Sequence, residues 1–264
     1  MTKTILITGA TDGIGLLTAK KLSAQGHSVL LHGRSAEKLS AAAAEVGGNP
    51  QTYRADLSRL EEVVTLAEAL RIDHSQIDVV INNAGVLKLP EPRTDAGLDA
   101  RFVVNTLAPY LLVQLLLPVL PKAGRVVNLS SAAQAPVEVA ALRGEVTLDD
   151  MAAYAQSKLA ITIWTREMAR AHQDGPLFIA VNPGSLLASK MVKEGFGVAG
   201  NDLSIGADIL ARAALSDEFA GASGAYFDND MGGFNEPHSA VKDPDHVAAV
   251  MAAIQELVSG NRPE

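Results

Sequence analysis

The sequence predicts an α/β fold: a doubly wound parallel sheet of about seven strands with helices on both faces. Three observations carry that expectation. Short β-branched or leucine-rich runs alternate with longer segments of helical period. Most of the runs are nearly continuously apolar, as strands buried on both faces are. A glycine-rich turn joins the first run directly to the first helix.

Ile5-Leu6-Ile7-Thr8 gives the first strand, at 5–8, and the chain passes through the glycine turn into a helix at 14–25. Val29, Leu30 and Leu31 mark a second strand at 28–31, followed by helical spacing over 36–46. A strand at 51–54 and a helix at 60–71 come next, then Val79-Val80-Ile81-Asn82 as the fourth strand. The fourth crossover is a long apolar helix at 97–117. Its most membrane-like part, 107–120, contains Pro109, Tyr110, Gln114 and Pro118 and falls short of the roughly 20 residues of a membrane span, so it reads as a buried helix. Residues 125–129 form the fifth strand and 151–170 the following helix; 177–181 is the sixth strand, 204–215 a helix, 225–227 a seventh strand and 243–258 a terminal helix. No composition break or linker divides the chain, so residues 1–264 are expected to form a single domain.

Two segments fall outside this rhythm. Residues 132–150 separate a strand from its helix by far more than the usual stretch of about 2–6 residues, and read as an insertion. Residues 185–202 set Gly195, Gly197 and Gly200 among Leu186, Leu187, Met191, Val192, Phe196 and Val198, the pattern of a substrate lid with an apolar inner face or of a plain surface excursion.

Composition narrows the chemistry. The chain has no cysteine, which removes disulfide scaffolds, thiolate zinc sites, iron–sulfur clusters and cysteine nucleophiles. Catalysis must use oxygen and nitrogen groups or a borrowed cofactor. A formal charge of -8 has the wrong sign for tracking a phosphate backbone, so nucleic acid is not expected as a partner. The N-terminus enters an apolar run at once, without the flanks of a signal or transit peptide, and a cytoplasmic protein is expected. His27, His32, His74, His172, His238 and His246 show no metal-ligand spacing, no Gly-x-Ser-x-Gly elbow is present, and Asp228-Asn229-Asp230 reads as an acidic turn; no metal site is expected.

The turn after the first strand reads Thr8-Gly9-Ala10-Thr11-Asp12-Gly13-Ile14-Gly15. Gly9 suits a tight strand-to-helix turn, Gly13 a close approach of a pyrophosphate, and Gly15 close packing of helix on sheet, with the helix N-terminus facing the phosphates. The second strand leads into His32-Gly33-Arg34-Ser35, where an acidic residue would accept from a ribose 2′-hydroxyl and select NAD(H). None is present. Arg34 with the Ser35 hydroxyl suits a 2′-phosphate, so NADP(H) is favoured as cofactor; Lys38 lies one helical turn on. Tyr154 and Lys158 are spaced i, i+4 near the start of a helix and share one face. Asn128-Leu129-Ser130-Ser131 brings hydroxyls to the C-terminal edge of the sheet, where ligands bind in open α/β folds.

In order and approximate spacing, Thr8 to Gly15, Asn82-Asn83-Ala84-Gly85, Asn105, Ser131, Tyr154-x-x-x-Lys158 and Pro183-Gly184 resemble the short-chain dehydrogenase/reductase family and its Rossmann fold. The resemblance runs from residue 3 to about 230. It implies that Asn105, Ser131, Tyr154 and Lys158 form the catalytic set, that Asp56-Leu57 contacts the adenine, that Asn83, Ala84 and Gly85 line the cofactor cleft, and that Pro183-Gly184 lies beside the nicotinamide. Ser131 and Tyr154 lie 23 residues apart, more than is usual in the family, and the excess, with Leu142-Arg143-Gly144 inside it, looks like the retinol-dehydrogenase-like branch. That branch prefers NADP and lipophilic alcohols or aldehydes. The threonine often found after Pro-Gly is Ala188 here, leaving Ser185 or Ser189 to replace it.

The resemblance implies an NADP(H)-dependent oxidoreductase interconverting a carbonyl and an alcohol on a small lipophilic substrate. Tyr154 would be the proton donor in reduction, Ser131 would hold the substrate oxygen, and Lys158 would bind the ribose and favour the phenolate. Lowering a tyrosine pKa from ~10 to ~7 takes about 4 kcal/mol, and one cation about 5 Å away at an effective dielectric near 20 supplies roughly 3 kcal/mol of it. Pro109 removes the N–H that would bond the Asn105 carbonyl, freeing that carbonyl to hold a water in a proton relay. The alternative is an NADP(H)-binding redox sensor on the same fold that turns nothing over. A homodimer or homotetramer is expected from the resemblance, helped by Ile161, Ile163 and Trp164, not all of which can face one sheet.

Overall fold

The computed structural model describes residues 1–197 and 199–261. Strands β1 (Thr4–Ile7), β2 (Ser28–Gly33), β3 (Gln51–Arg54), β4 (Val79–Asn82), β5 (Arg125–Leu129), β6 (Leu177–Asn182), β7 (Tyr226–Asp228) and β8 (Gly233–Asn235) form one sheet in the order β3-β2-β1-β4-β5-β6-β7-β8. The first seven run parallel and correspond to the seven expected; β8 is an additional edge strand, antiparallel to β7. Its three residues, Gly-Phe-Asn, carry no apolar run, and pairing with β7 is what extends them.

Helices α1 (Gly13–Ala24), α2 (Ala36–Val46), α3 (Leu60–Asp73), α4 (Ala100–Phe102), α5 (Ala108–Leu116), α6 (Val139–Leu142), α7 (Asp150–Ala171), α8 (Lys190–Phe196), α9 (Leu203–Leu215) and α10 (Pro244–Ser259) cover the two faces. Strand alternation decides which residue serves which face. Leu6, Leu30, Val80, Val126 and Phe178 point into a core shared with α3, α5, α7 and α10. Ile5, Ile7, Val29, Leu31, Val79, Ile81, Val127, Ile179 and Val181 point into the other, shared with α1, α2 and α9. Burial on both sides explains why these strands read as unbroken apolar runs.

The expected helix at 97–117 differs in detail. Gly97 lies in a turn at φ 77°, and the helical stretch begins at Ala100. Between α4 and α5 it widens into a π turn over Val103–Leu107, in which the Ala108 N–H reaches back to the Val103 carbonyl. Pro109 supplies the reason: it has no N–H for the carbonyl of Asn105, so the α ladder cannot run through. The whole stretch Ala100–Val119 is 20 residues long, against 14 for the membrane-like part at 107–120, and apolar enough to cross a membrane, but most of it is buried inside the protein.

Arg101 is 1% exposed. It bonds Asp99, the N-cap of α4, with Nε at 2.8 Å and Nη2 at 2.6 Å, and pairs with Asp150 in the first turn of α7. A buried guanidinium bonded to both carboxylates fixes the start of α7 against α4. Asp149 is the N-cap of α7, accepting from Ala152 N at 2.8 Å.

Between β5 and α7 the chain forms α6 and is tied down at several points. Ala135 N donates to Ala155 O at 3.3 Å, Val137 N to His246 Nε2 at 3.3 Å, and Glu138 N to Gln156 Oε1 at 2.8 Å. Arg143 pairs with Glu256 of α10 at 2.7 Å. Ile161, Ile163 and Trp164 are 2%, 1% and 0% exposed within this one chain. They belong to the core shared by α5, α7 and α10, so they offer no surface to a second copy, and the oligomer argument drawn from them falls away.

Candidate active site

The order of the strands places a crevice beyond the C-terminal ends of β1 and β4, where connections leave to opposite sides of the sheet. The glycine turn fills one wall. Gly9 has φ 65°, and a Cβ there would come within 2.9 Å of Ala84 Cα; a Cβ on Gly15 would come within 2.3 Å of Gly9 O. Both are therefore required by packing. Gly13 differs: it has φ 55°, and a Cβ there would meet nothing within 4 Å. Asp12 caps α1, accepting from Gly13 N at 2.7 Å. Thr11 packs its methyl where a Gly33 side chain would stand, 2.6 Å from that Cβ position.

Asn83, Ala84 and Gly85 form the opposite wall. Asn83 Nδ2 donates to Thr8 O at 2.9 Å and Gly9 O at 3.0 Å, while Thr8 Oγ1 accepts from the N–H groups of Asn83 and Ala84, each at 3.1 Å. The Asn83 side chain thus braces the glycine turn. A second brace was not read from the sequence. Buried His32 accepts from Gly9 N through Nδ1 at 3.3 Å and donates from Nε2 to Ala55 O at 3.1 Å. Burial pushes its pKa down to about 4, so the ring is neutral in this role.

At the end of β2, Arg34 is exposed and Ser35 is the N-cap of α2, accepting from Lys38 N at 3.3 Å. Arg54, which the sequence reading passed over, is paired in register with Gly33, and its Nε donates to the Arg34 carbonyl at 3.3 Å. Among the described residues neither guanidinium has a carboxylate partner. Asp56 turns its carboxylate into its own loop, accepting from Ser58 N at 3.0 Å and Ser58 Oγ at 2.8 Å, and Leu57 is buried in the core beneath α3.

The four residues expected to carry the chemistry converge at the ends of β4 and β5. Asn105 lies in the π turn; its Oδ1 accepts from Val86 N at 2.8 Å, and its Nδ2 donates to Val86 O at 3.0 Å and Ser157 Oγ at 2.9 Å. Lys158 is buried, and its Nζ donates to Leu129 O at 2.8 Å. A Cβ on Gly85 would stand 3.4 Å from Asn105 Oδ1 and 3.5 Å from Lys158 Nζ, so the absence of a side chain there keeps the ammonium open to the cleft. Lys158 Nζ lies 5.6 Å from the centroid of the Tyr154 ring. Burial lowers the lysine pKa to about 8.

Tyr154 is partly buried, and the Ser131 hydroxyl hydrogen-bonds to its phenol. The expected lowering of the phenol is not what the chain alone produces: burial pushes it up, and the Ser131 hydrogen bond only partly offsets this. Tyr154 therefore holds its proton. Ser131 Oγ also accepts from Ala133 N at 3.1 Å.

Past β6, Gly184 has φ 122° and Asn229 Nδ2 donates to Pro183 O at 3.0 Å. Ser185 donates to Asp230, with N–H at 2.8 Å and hydroxyl at 2.5 Å, and Ser189 is the N-cap of α8, accepting from Val192 N at 3.2 Å. Both serines are already engaged. Leu187 and Val192 are buried, and Met191 Cε stands 3.8 Å from the Gly85 Cβ position; Val198 of the expected apolar face lies outside the described residues.

A family model described as short chain dehydrogenase matches residues 3–196. The chain belongs to the short-chain dehydrogenase family. Within it, the chain is 32% identical over 260 residues to human retinol dehydrogenase 13, covering 86% of this chain and 76% of that protein, which puts it in the retinol-dehydrogenase-like branch of oxidoreductases. Among solved structures it is similar to an uncharacterised protein from Mycobacterium paratuberculosis, with TM-score 0.82 and 28% identity over 99% of this chain and 95% of that one. It is also similar to a protein from Escherichia coli CFT073 described as a short chain dehydrogenase and crystallised with NADPH, with TM-score 0.69 and 29% identity over 86% of this chain and 96% of that one.

Proposed function

We propose that this short-chain dehydrogenase is an NADPH-dependent reductase of aldehydes or ketones on small lipophilic molecules, working in reverse on the corresponding alcohols. The observation that carries the reading is the convergence of Ser131, Tyr154 and Lys158 on one cleft, with Lys158 buried and without a carboxylate partner among the described residues. A buried ammonium with unused N–H donors fits a ligand that brings hydroxyl acceptors, and the ribose of a nicotinamide nucleotide is one. The open space above Gly13 at the start of α1 fits its pyrophosphate. Arg34, Lys38 and Arg54, exposed and without acidic partners among the described residues, suit the 2′-phosphate that distinguishes NADP(H).

The bound nicotinamide would supply the hydride. The chain's own residues do the rest. Tyr154, held protonated by burial, donates its phenolic proton to the carbonyl oxygen. Ser131 uses a lone pair on the Ala133 N–H, which leaves its O–H to steady the oxygen as negative charge develops. Lys158 holds the ribose and, as a cation near the phenol, opposes the cost of forming phenolate. Asn105 fixes the Val86 backbone and α7 together, and its carbonyl, freed by Pro109, offers a water site for returning a proton to Lys158.

The test follows NADPH oxidation at 340 nm with all-trans-retinaldehyde, benzaldehyde, cyclohexanone and menadione. Turnover with at least one carbonyl is expected, and Tyr154→Phe is expected to lower it by at least about 100-fold while still binding NADPH. Full activity of Tyr154→Phe would overturn the proton-donor role. In Arg34→Ala, KM for NADPH should rise about 10- to 100-fold with no change for NADH, as loss of a charge-assisted contact requires; an unchanged cofactor preference would overturn the 2′-phosphate assignment.

A further inference from the structure

Ser131 is the residue on which the sheet ends. Ser130 N still bonds Val181 O at 2.9 Å as part of the β5–β6 pairing, but one residue later the backbone has no strand beside it. The hydroxyl that must meet the substrate oxygen therefore hangs from a strand end that the ladder does not hold. Two side chains hold it instead. Gln134 Nε2 donates to the Ser131 carbonyl at 2.9 Å, and Tyr226 Oη donates to the same carbonyl at 3.1 Å. Gln134 Nε2 also lies 3.3 Å from Ser130 Oγ, and its Oε1 accepts from His238 N at 3.0 Å. Tyr226 is 4% exposed, on β7, and reaches Ser131 across 95 residues of sequence.

We infer that Gln134 and Tyr226 are positioning residues for Ser131, clamping its carbonyl so that its hydroxyl stays aimed at Tyr154 and the substrate oxygen. The inference rests on the carbonyl-reductase reading above. A carbonyl oxygen has two lone pairs, and two donors from separate elements fix the peptide plane in two directions. With the Ala133 N–H on the Ser131 oxygen, the hydroxyl is left with one useful direction for its proton. Burial, with Asp228 and Asp230 nearby, pushes the Tyr226 phenol up, so it remains a donor across the working pH range. Gln134 further ties this clamp to the segment after β8, through His238.

The test uses Tyr226→Phe, which removes only the O–H, and Gln134→Glu, which keeps the acceptor for His238 N–H but loses the donor to Ser131. Each is expected to slow single-turnover reduction of the best carbonyl from the panel above by about tenfold, the scale on which small misplacement of a reacting group is felt. The Kd for NADPH is expected to stay unchanged. In a Ser131→Ala background, Tyr226→Phe should have no further effect, because the group it positions is gone. Wild-type rates in both variants, while Ser131→Ala is slow, would overturn the inference and leave the reductase reading standing. An undiminished tenfold loss on top of Ser131→Ala would also overturn it, since the role would then be merely structural. Absence of turnover by the wild-type chain with every carbonyl would instead fail the underlying reading.

Discussion

The side-chain amide of Asn105 donates to the hydroxyl of Ser157 across 2.9 Å, joining the π turn ahead of Pro109 to α7 between Tyr154 and Lys158. Ser157 in turn donates to Tyr154 O at 2.7 Å, and the other bonds of Asn105 hold both backbone groups of Val86. One buried amide thus sets the distance between the cleft wall and the helix that carries Tyr154 and Lys158. Asn105→Ala leaves the Val86 N–H, the Val86 carbonyl and the Ser157 hydroxyl without their partner. The expected cost is about 2–4 kcal/mol in urea unfolding, and more than that of Ser157→Ala. A loss under about 0.5 kcal/mol would show that the link holds nothing.

If Lys158 holds the cofactor as proposed, it sets a pH limit on cofactor affinity. Burial lowers its pKa to about 8, so the ammonium form that the proposed ribose contact requires predominates in the free protein below that pH and is lost above it. Above pH 8, binding NADPH must take up a proton. The Kd, followed by fluorescence titration, is expected to rise up to about tenfold per pH unit from pH 8 to 9.5. Lys158→Met should bind weakly at every pH and lose that slope; the same slope in Lys158→Met would assign it to another group.

His32 predicts a stability change on the acid side. Its pKa is about 4 in the folded protein against an ordinary 6.5, so between those values the unfolded chain takes up a proton that the folded chain excludes. The stabilisation is full above about pH 6.5 and is lost as the pH falls toward 4. Its full size is about 3 kcal/mol. Urea unfolding from pH 7.5 to 4 should show this slope, and His32→Gln should flatten part of it. An equal slope in both proteins would remove His32 from the account.

The short-range features of this fold were legible in the sequence because the information was local. The glycine turn, the i, i+4 pairing of Tyr154 with Lys158, and the seven parallel strands each depend on neighbours within a few residues or on a repeated pattern. His32, Arg54, Gln134 and Tyr226 were not legible, because their meaning comes from register and long-range contact. His32 meets Gly9 across 23 residues, Arg54 reaches Arg34 only because β3 lies beside β2, and Tyr226 meets Ser131 across 95. The strand β8 was missed for the same reason: nothing in Gly233-Phe234-Asn235 asks for extension until β7 is beside it.

Gly9 and Gly13 both have positive φ, yet they predict opposite kinds of failure. A methyl on Gly9 would press within 2.9 Å of Ala84 Cα, so Gly9→Ala combines an unfavourable backbone region with overlap and should cost about 2–4 kcal/mol of stability. A methyl on Gly13 meets nothing within 4 Å, leaving only the backbone term of about 1–2 kcal/mol. The space it would enter is the space the reading gives to the cofactor pyrophosphate. Gly13→Ala should therefore stay folded, lose a few degrees at most in thermal unfolding without ligand, and bind NADPH at least about tenfold more weakly, because phosphate contact with the helix N-terminus needs close backbone approach. Wild-type NADPH affinity in folded Gly13→Ala would move the pyrophosphate away from this turn.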